Sequence, residues 1–307
     1  MTRKPTLSAK ENPLDEQIDL PPLYKYVSLS RALQIFRDRE IRMTQPRFLN
    51  DPHEMSIEIN PETLIREYYQ SIIKNLGYPP KKAAEMAKRG LLDLSLDIVN
   101  DIVKKRESFG ILSLCDSPDN MLLWAHYANE HKGAVIEIDI SKILTQEIND
   151  DDIQCLAEVQ YEEKRIDYIA KKIRPWMTLI YKGSSWSYER EWRLIKSLTL
   201  LKEKIPDIFV AEIPPTAIKQ VFLGARAEGP EEEAILNLSS ISPDYQHVKI
   251  HKAMFSSELV GLDFRPAEKY GWTILHGEHH FGDQWREVRQ WINFDKLEQA
   301  EKGIGLL

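Results

Sequence analysis

The sequence predicts an α+β protein with a mixed, largely antiparallel sheet core, an inserted helical hairpin and peripheral helices. Three observations predict it. Short strand-forming runs and helical patterns alternate irregularly, not in the regular order of a doubly wound sheet. Apolar residues between Glu62 and Lys105 recur at helical spacing. Ala134 to Ile140 alternates its later residues, apolar with acidic, in the manner of a strand.

Residues 1–22 lack periodicity and scatter Pro, Lys and Glu, the composition of a flexible N-terminal arm. Tyr24-Lys25-Tyr26-Val27 is strand-forming, Ser28 or Ser30 can cap the element after it, and Ala32, Leu33, Ile35 and Phe36 supply a helical apolar face. Ile41 to Thr44 reads as a second strand, ending in the loop Pro46 to Glu54. The helical insertion at about 62–107 is divided by Tyr78-Pro79-Pro80 and reads as a lid or support. Phe109 to Cys115 comes next as a buried strand, and the acidic turn Asp116-Ser117-Pro118-Asp119 can cap a helix from near Asn120, which Lys132-Gly133 ends. Further strands are expected at Gln154 to Tyr161, Tyr188 to Ile195, Phe209 to Ile213, Gln220 to Leu223 and His247 to His251, and helices at Tyr168 to Tyr181 and Glu231 to Ser239. Residues 23–265 read as a single domain. Residues 266–307 read as a C-terminal extension whose amphipathic helix, with Trp285, Val288, Arg289, Trp291 and Ile292, packs on the body.

At 307 residues, 42% of them hydrophobic, the chain can build a sizeable core. No apolar run approaches the roughly 20 residues of a membrane span, and the polar start has no secretory apolar region, so a cytoplasmic protein is expected. Cys115 and Cys155 lie far apart without CxxC spacing, so inert thiols are expected and no metal. The formal charge of -7 argues against a generic nucleic-acid coat, though it leaves room for a local basic groove. A small-molecule or nucleotide ligand is the expected partner.

Four segments could carry chemistry. In Phe48-Leu49-Asn50-Asp51-Pro52 an aromatic anchor would hold Asn50 and Asp51, either as an Asx turn or as a ligand-binding loop. In Trp124-Ala125-His126-Tyr127, helical geometry separates Trp124 from His126 by about 200 degrees. Trp124 would pack inside while His126 either lines a cleft or stays a surface histidine. In Tyr188 to Arg193, an extended chain places Glu189, Glu191 and Arg193 on one face. Paired carboxylates there favour cations, hydroxyl-rich sugars or an oxocarbenium-like transition state. A helix would instead pair Glu189 with Arg193 as an ordinary surface ion pair. His276, His279 and His280 lack metal-site geometry and read as a solvated loop. No GxGxxG, P-loop or GxSxG motif occurs.

Tyr24-Lys25-Tyr26, Phe48 to Pro52, Cys115, Trp124-Ala125-His126-Tyr127 with Lys132-Gly133, and Tyr188 to Arg193, in that order, resemble the bacterial family catalogued as domain of unknown function 2971. The resemblance covers roughly Leu23 to Leu223 and implies no activity. A weaker resemblance, through Tyr26 on the first strand and Glu189-Arg190-Glu191, is to the ADP-ribosyltransferase superfamily. It implies an NAD-consuming enzyme, a toxin or phage-defence effector, in which Glu191 holds a ribose hydroxyl and Glu189 orients the acceptor. Tyr26, Asn50, Asp51, His126, Tyr127 and Arg193 are then the expected substrate contacts. Two other readings stay open: a non-catalytic ligand-binding or regulatory module, and a nuclease-like enzyme holding a divalent metal with Asp51, Glu189 and Glu191.

Overall fold

A computed structural model describes residues 7–8, 20–51, 53–54, 57–89, 91–145, 148–149, 151–238, 242–256 and 260–267. The expected helix around Trp285 to Ile292, the histidines His276, His279 and His280, and most of the N-terminal arm lie outside the described residues.

The chain is α+β, with a large mixed and mostly antiparallel sheet. It opens with β1 (Leu7–Ser8), β2 (Leu23–Val27), α1 (Leu29–Asp38) and β3 (Glu40–Met43). The Ser28 hydroxyl accepts the Arg31 N–H and so caps α1, which buries Ala32, Ile35 and Phe36. Arg39, left-handed at φ 54, ends α1 by donating its N–H to the Ile35 carbonyl.

After β4 (Ile57–Glu58) comes the helical insertion, described as α2 (Pro61–Leu76), α3 (Pro80–Arg89) and α4 (Leu91–Arg106). Asn60 caps α2 by accepting from Glu62 and Thr63, and Gly77 at φ 68 takes the left-handed position that ends it. Ile72, Ala83 and Ala87 form the insertion's own small core, with Ile65 and Tyr68 packed against it.

The middle of the chain supplies β5 (Phe109–Cys115), α5 (Met121–Tyr127), β6 (Ala134–Ile138), β7 (Gln154–Glu158), β8 (Gln160–Glu162), β9 (Ile166–Asp167), α6 (Tyr168–Lys171) and β10 (Tyr181–Gly183). The cap of α5 is Asn120, which accepts from Leu122 and Leu123, and not the acidic residues before it. The helix expected over Tyr168 to Tyr181 stops after one turn. Pro175 cannot donate an N–H and holds Arg174 extended, so residues 175–180 form a 3-10 turn that runs into β10. The chain closes with β11 (Glu191–Ser197), β12 (Lys202–Ile205), β13 (Ile208–Glu212), β14 (Ile218–Leu223), α7 (Pro230–Leu236), β15 (Lys249–Phe255) and β16 (Leu262–Pro266).

The chain divides into two compact units. The first comprises Met1–Asp19, Arg42–Ser113 and Thr145–Ala211. Its sheet runs β1-β7-β11-β5, with β7 and β11 antiparallel so that Leu194 faces Leu156 and Arg193 faces Ala157. Phe109, Ile111, Leu179 and Ile195 form one of its cores. The second unit comprises Leu20–Ile41, Leu114–Leu144 and Glu212–Leu307. Its strands run β2-β6-β14-β15-β16, all antiparallel except the parallel pair β14 and β15. Among its described helices, none is long and apolar enough to cross a membrane, and the same holds for the first unit.

Candidate functional site

The strand expected over Tyr188 to Ile195 begins only at Glu191. Ser184 to Glu189 form a 3-10 turn, and Arg190 sits in the left-handed region at φ 45 and ψ 49. The expected alternation therefore holds for Glu191 and Arg193, which share one face of β11. Glu189 reaches the same place through the Arg190 turn and not along the strand. Both carboxylates close on one ammonium: Lys182 Nζ donates to Glu189 Oε2 at 2.6 Å and to Glu191 Oε2 at 3.2 Å.

Arg193 completes the group from the other side. It is fully buried, donates from Nε to Glu191 Oε1 at 2.8 Å and from Nη2 to Glu191 Oε2 at 3.0 Å, and gives Nη1 to the Leu179 carbonyl. A guanidinium matches a carboxylate in this two-pronged way because its N–H groups form a rigid planar fork. Glu54 enters from the Asn50-Asp51 loop. Asp51 Oδ1 accepts the His53 N–H at 2.9 Å and the Asp51 carbonyl accepts the Glu54 N–H at 3.0 Å, a tight turn that delivers Glu54 to Arg193. The Glu54 side chain lies 4.0 Å from Lys182 Nζ, and its Oε2 has no hydrogen-bond partner among the described residues.

Glu54, Glu189 and Glu191 thus meet Lys182 and Arg193 in a buried place. Burial raises the Glu191 carboxyl above its ordinary range, against the pull of Lys182 and a hydrogen bond from Ser113. Burial also lowers Arg193 to about 9, with Asp51 acting in the opposite sense, so the guanidinium stays charged at neutral pH. The Tyr161 hydroxyl accepts the Glu191 N–H at 2.8 Å, and burial pushes its ionisation up.

Lys182 joins this network to open space. With His53, Lys164, Arg165, Ile166 and Tyr181 it lines a pocket of about 190 Å³ in the first unit. The Trp186 ring lies against the ammonium, 4.9 Å from Nζ to the ring centroid, a favourable place for a cation.

Of the residues expected at a site, Glu189, Glu191, Arg193 and Asp51 come together in the first unit. Asn50 is in the same loop and exposed. Phe48, expected to anchor that loop, is 46% exposed, with the Arg47 guanidinium 4.9 Å above its ring. Tyr26, His126 and Tyr127 belong to the second unit. The Tyr26 hydroxyl donates to the Ser117 carbonyl at 2.9 Å and accepts the Asn120 N–H at 3.3 Å, which ties the start of α5 to β2. Its ring meets Trp124 edge-on at 5.6 Å. Trp124 is buried as expected, and His126 is exposed with its ring 6.2 Å from that of Tyr127. Among the described residues no three His, Cys, Asp or Glu side chains are grouped to hold a metal ion.

Lys182 and Glu54 carry no obvious mark in the sequence. Lys182 lies in no motif, one residue past a stretch that reads as helix. Glu54 stands at the end of a loop whose Asn and Asp are more conspicuous, although an Asx turn at Asp51 sends the chain back by about three residues and so points to it.

No curated protein and no solved structure matches the chain. Residues 123–194 match the family model described as protein of unknown function (DUF2971), a stretch running from α5 into β11 and containing both Trp124 to Tyr127 and Tyr188 to Arg193.

Proposed function

We propose that the first unit is a binding site for a small polar ligand seated in the pocket beside Lys182. One observation carries the reading: a lysine side chain only 4% exposed, held by two buried glutamates, also lines a cavity. A buried charge network is weak as a stabilising device, because desolvation offsets most of the Coulombic gain. Beside a cavity it offers fixed polar groups that can orient a ligand. The test is ligand-observed NMR with a panel of hydroxylated metabolites, followed by protein spectra. Hits are expected to saturate and to move the resonances of Ile166 and Tyr181. Hits that move only residues remote from the pocket would sink the reading.

A second reading is NAD-consuming ADP-ribosyl transfer, as in a toxin or phage-defence effector, with Glu191 stabilising the oxocarbenium-like state and Glu189 orienting the acceptor. It is favoured by the meeting of two carboxylates on one ammonium. Both Glu191 oxygens are engaged by Arg193 and Lys182, so transfer requires one of these donors to be displaced by substrate. NAD turnover that disappears in Glu191→Gln, with the fold retained, is the expected result; no turnover by the unaltered chain counts against it. The nuclease-like reading would need the same two donors to yield Glu189 and Glu191 to a divalent ion, and magnesium-dependent cleavage of nucleic acid is its test.

A further inference from the structure

We infer that the ligand of this pocket is a phosphorylated monosaccharide, its phosphate held at the mouth by Lys164 and Arg165 and its hydroxyls directed at the floor around Lys182. The inference rests on the pocket reading above and concerns what fills it.

The mouth and the floor have opposite character. Lys164 and Arg165 are exposed, and neither makes a hydrogen bond or ion pair with any described residue. Of the two acidic residues beside them, Glu162 is already held by Lys171 at 3.0 Å, which leaves Glu163 as the opposing charge. The two cations are also placed. They lie on the three-residue connection between β8 and β9, and each of those strands is paired: Lys182 of β10 stands opposite Tyr161 of β8, and Ile57 of β4 stands opposite Ile166 of β9. An anion with several oxygens suits an arginine and a lysine so held, because the guanidinium can donate two parallel N–H groups and the ammonium adds a point charge.

The floor calls for neither sign. A second anion beside Lys182 would face Glu189 and Glu191, and a cation would face Lys182 itself. A hydroxyl, which both donates and accepts, meets neither repulsion. Size narrows the class further. The cavity of about 190 Å³ is smaller than the roughly 300–1,000 Å³ typical of sites for drug-sized ligands, which suits a pentose or hexose phosphate and not a whole dinucleotide.

The test is calorimetric titration of the full chain with ribose 5-phosphate and glucose 6-phosphate, alongside ribose, glucose and inorganic phosphate, repeated with the double variant Lys164→Ala, Arg165→Ala. At least one sugar phosphate is expected to bind at least ~10-fold more tightly than its parent sugar and than phosphate, and to lose ~10-fold or more in the double variant. Both altered side chains are exposed, so the variant is expected to melt with the unaltered chain. Equal binding of sugar and sugar phosphate, or no effect of the double variant, overturns the phosphate at the mouth while the pocket reading stands. Phosphate alone binding as tightly as the sugar phosphates overturns the sugar. No binding of any probe, when NMR hits still move Ile166, overturns the ligand class alone; no hit at the pocket of any kind overturns both.

Discussion

Arg193 donates twice to Glu191 and once to the Leu179 carbonyl while also pairing with Glu54, so four buried acceptors depend on one side chain. Lysine has the charge but not the fork, and Arg193→Lys is expected to lower stability by about 3 kcal/mol, read as a fall in the denaturation midpoint. Further along β11, Lys196 is 2% exposed and donates to Thr145 Oγ1 at 3.0 Å, and burial lowers its ionisation to about 8 from an ordinary 10.5. Between those two values the unfolded chain holds a proton that the folded chain has released. Stability contributed by this site therefore rises as pH climbs from about 8 to 10.5. Lys196→Met is expected to remove that rise, measured as the difference between the stability curves of the two proteins over that window. At this scale Glu189, Glu191 and Arg193 are legible from the alternation within one short segment, and Asp51 from its turn-forming loop. Lys182 is not, since nothing local distinguishes a lysine destined for two buried glutamates seven and nine residues further on.

Elements are legible where periodicity and punctuation agree. β2, α1, β5 and β6 obey their apolar patterns, and Ser28 caps α1 because a short hydroxyl can reach the free N–H of Arg31. The start of β11 is not legible. Tyr188 to Arg193 alternates acidic residues with others in strand fashion, and a left-handed arginine at position 190 has no compositional mark. The same holds for Asn129, Glu130 and His131, three consecutive left-handed residues that carry the chain from α5 to β6. Such a run survives only when its surroundings fix it. Here the Gly133 carbonyl accepts the Gly224 N–H at 2.9 Å and the His131 carbonyl accepts the Arg226 N–H at 3.0 Å. A Cβ on Gly224 would run into that His131 carbonyl, which is backbone and cannot swing aside. Gly224→Ala is accordingly expected to destabilise by about 2 kcal/mol or more, seen as a lower melting temperature and faster exchange of the Arg226 amide.

For the molecule as a whole, the irregular order of strand and helix patterns indicates both the α+β class and a mixed sheet. The division into two units is not legible, because each is assembled from three separated segments and no linker composition marks a boundary. Both cysteines report on the intact fold. Cys115 and Cys155 are buried free thiols, and burial pushes Cys155 up to about 11. Both are expected to resist a thiol reagent in the native protein and to react together on unfolding, so that labelling kinetics track opening of the cores. Rapid native labelling of either would contradict the burial.

The interleaving of the two units also sets how the chain can be cut. Reading from the first residue, the polypeptide changes unit at 19/20, 41/42, 113/114, 144/145 and 211/212. A fragment that starts at residue 1 and ends between 42 and 210 lacks all or part of a segment of both units, and neither unit can be excised as one uninterrupted stretch. Expression of a half-length piece would give a chain without a complete core. A protease nick in a surface turn, by contrast, would leave the two pieces held together, since each carries parts of the same sheets.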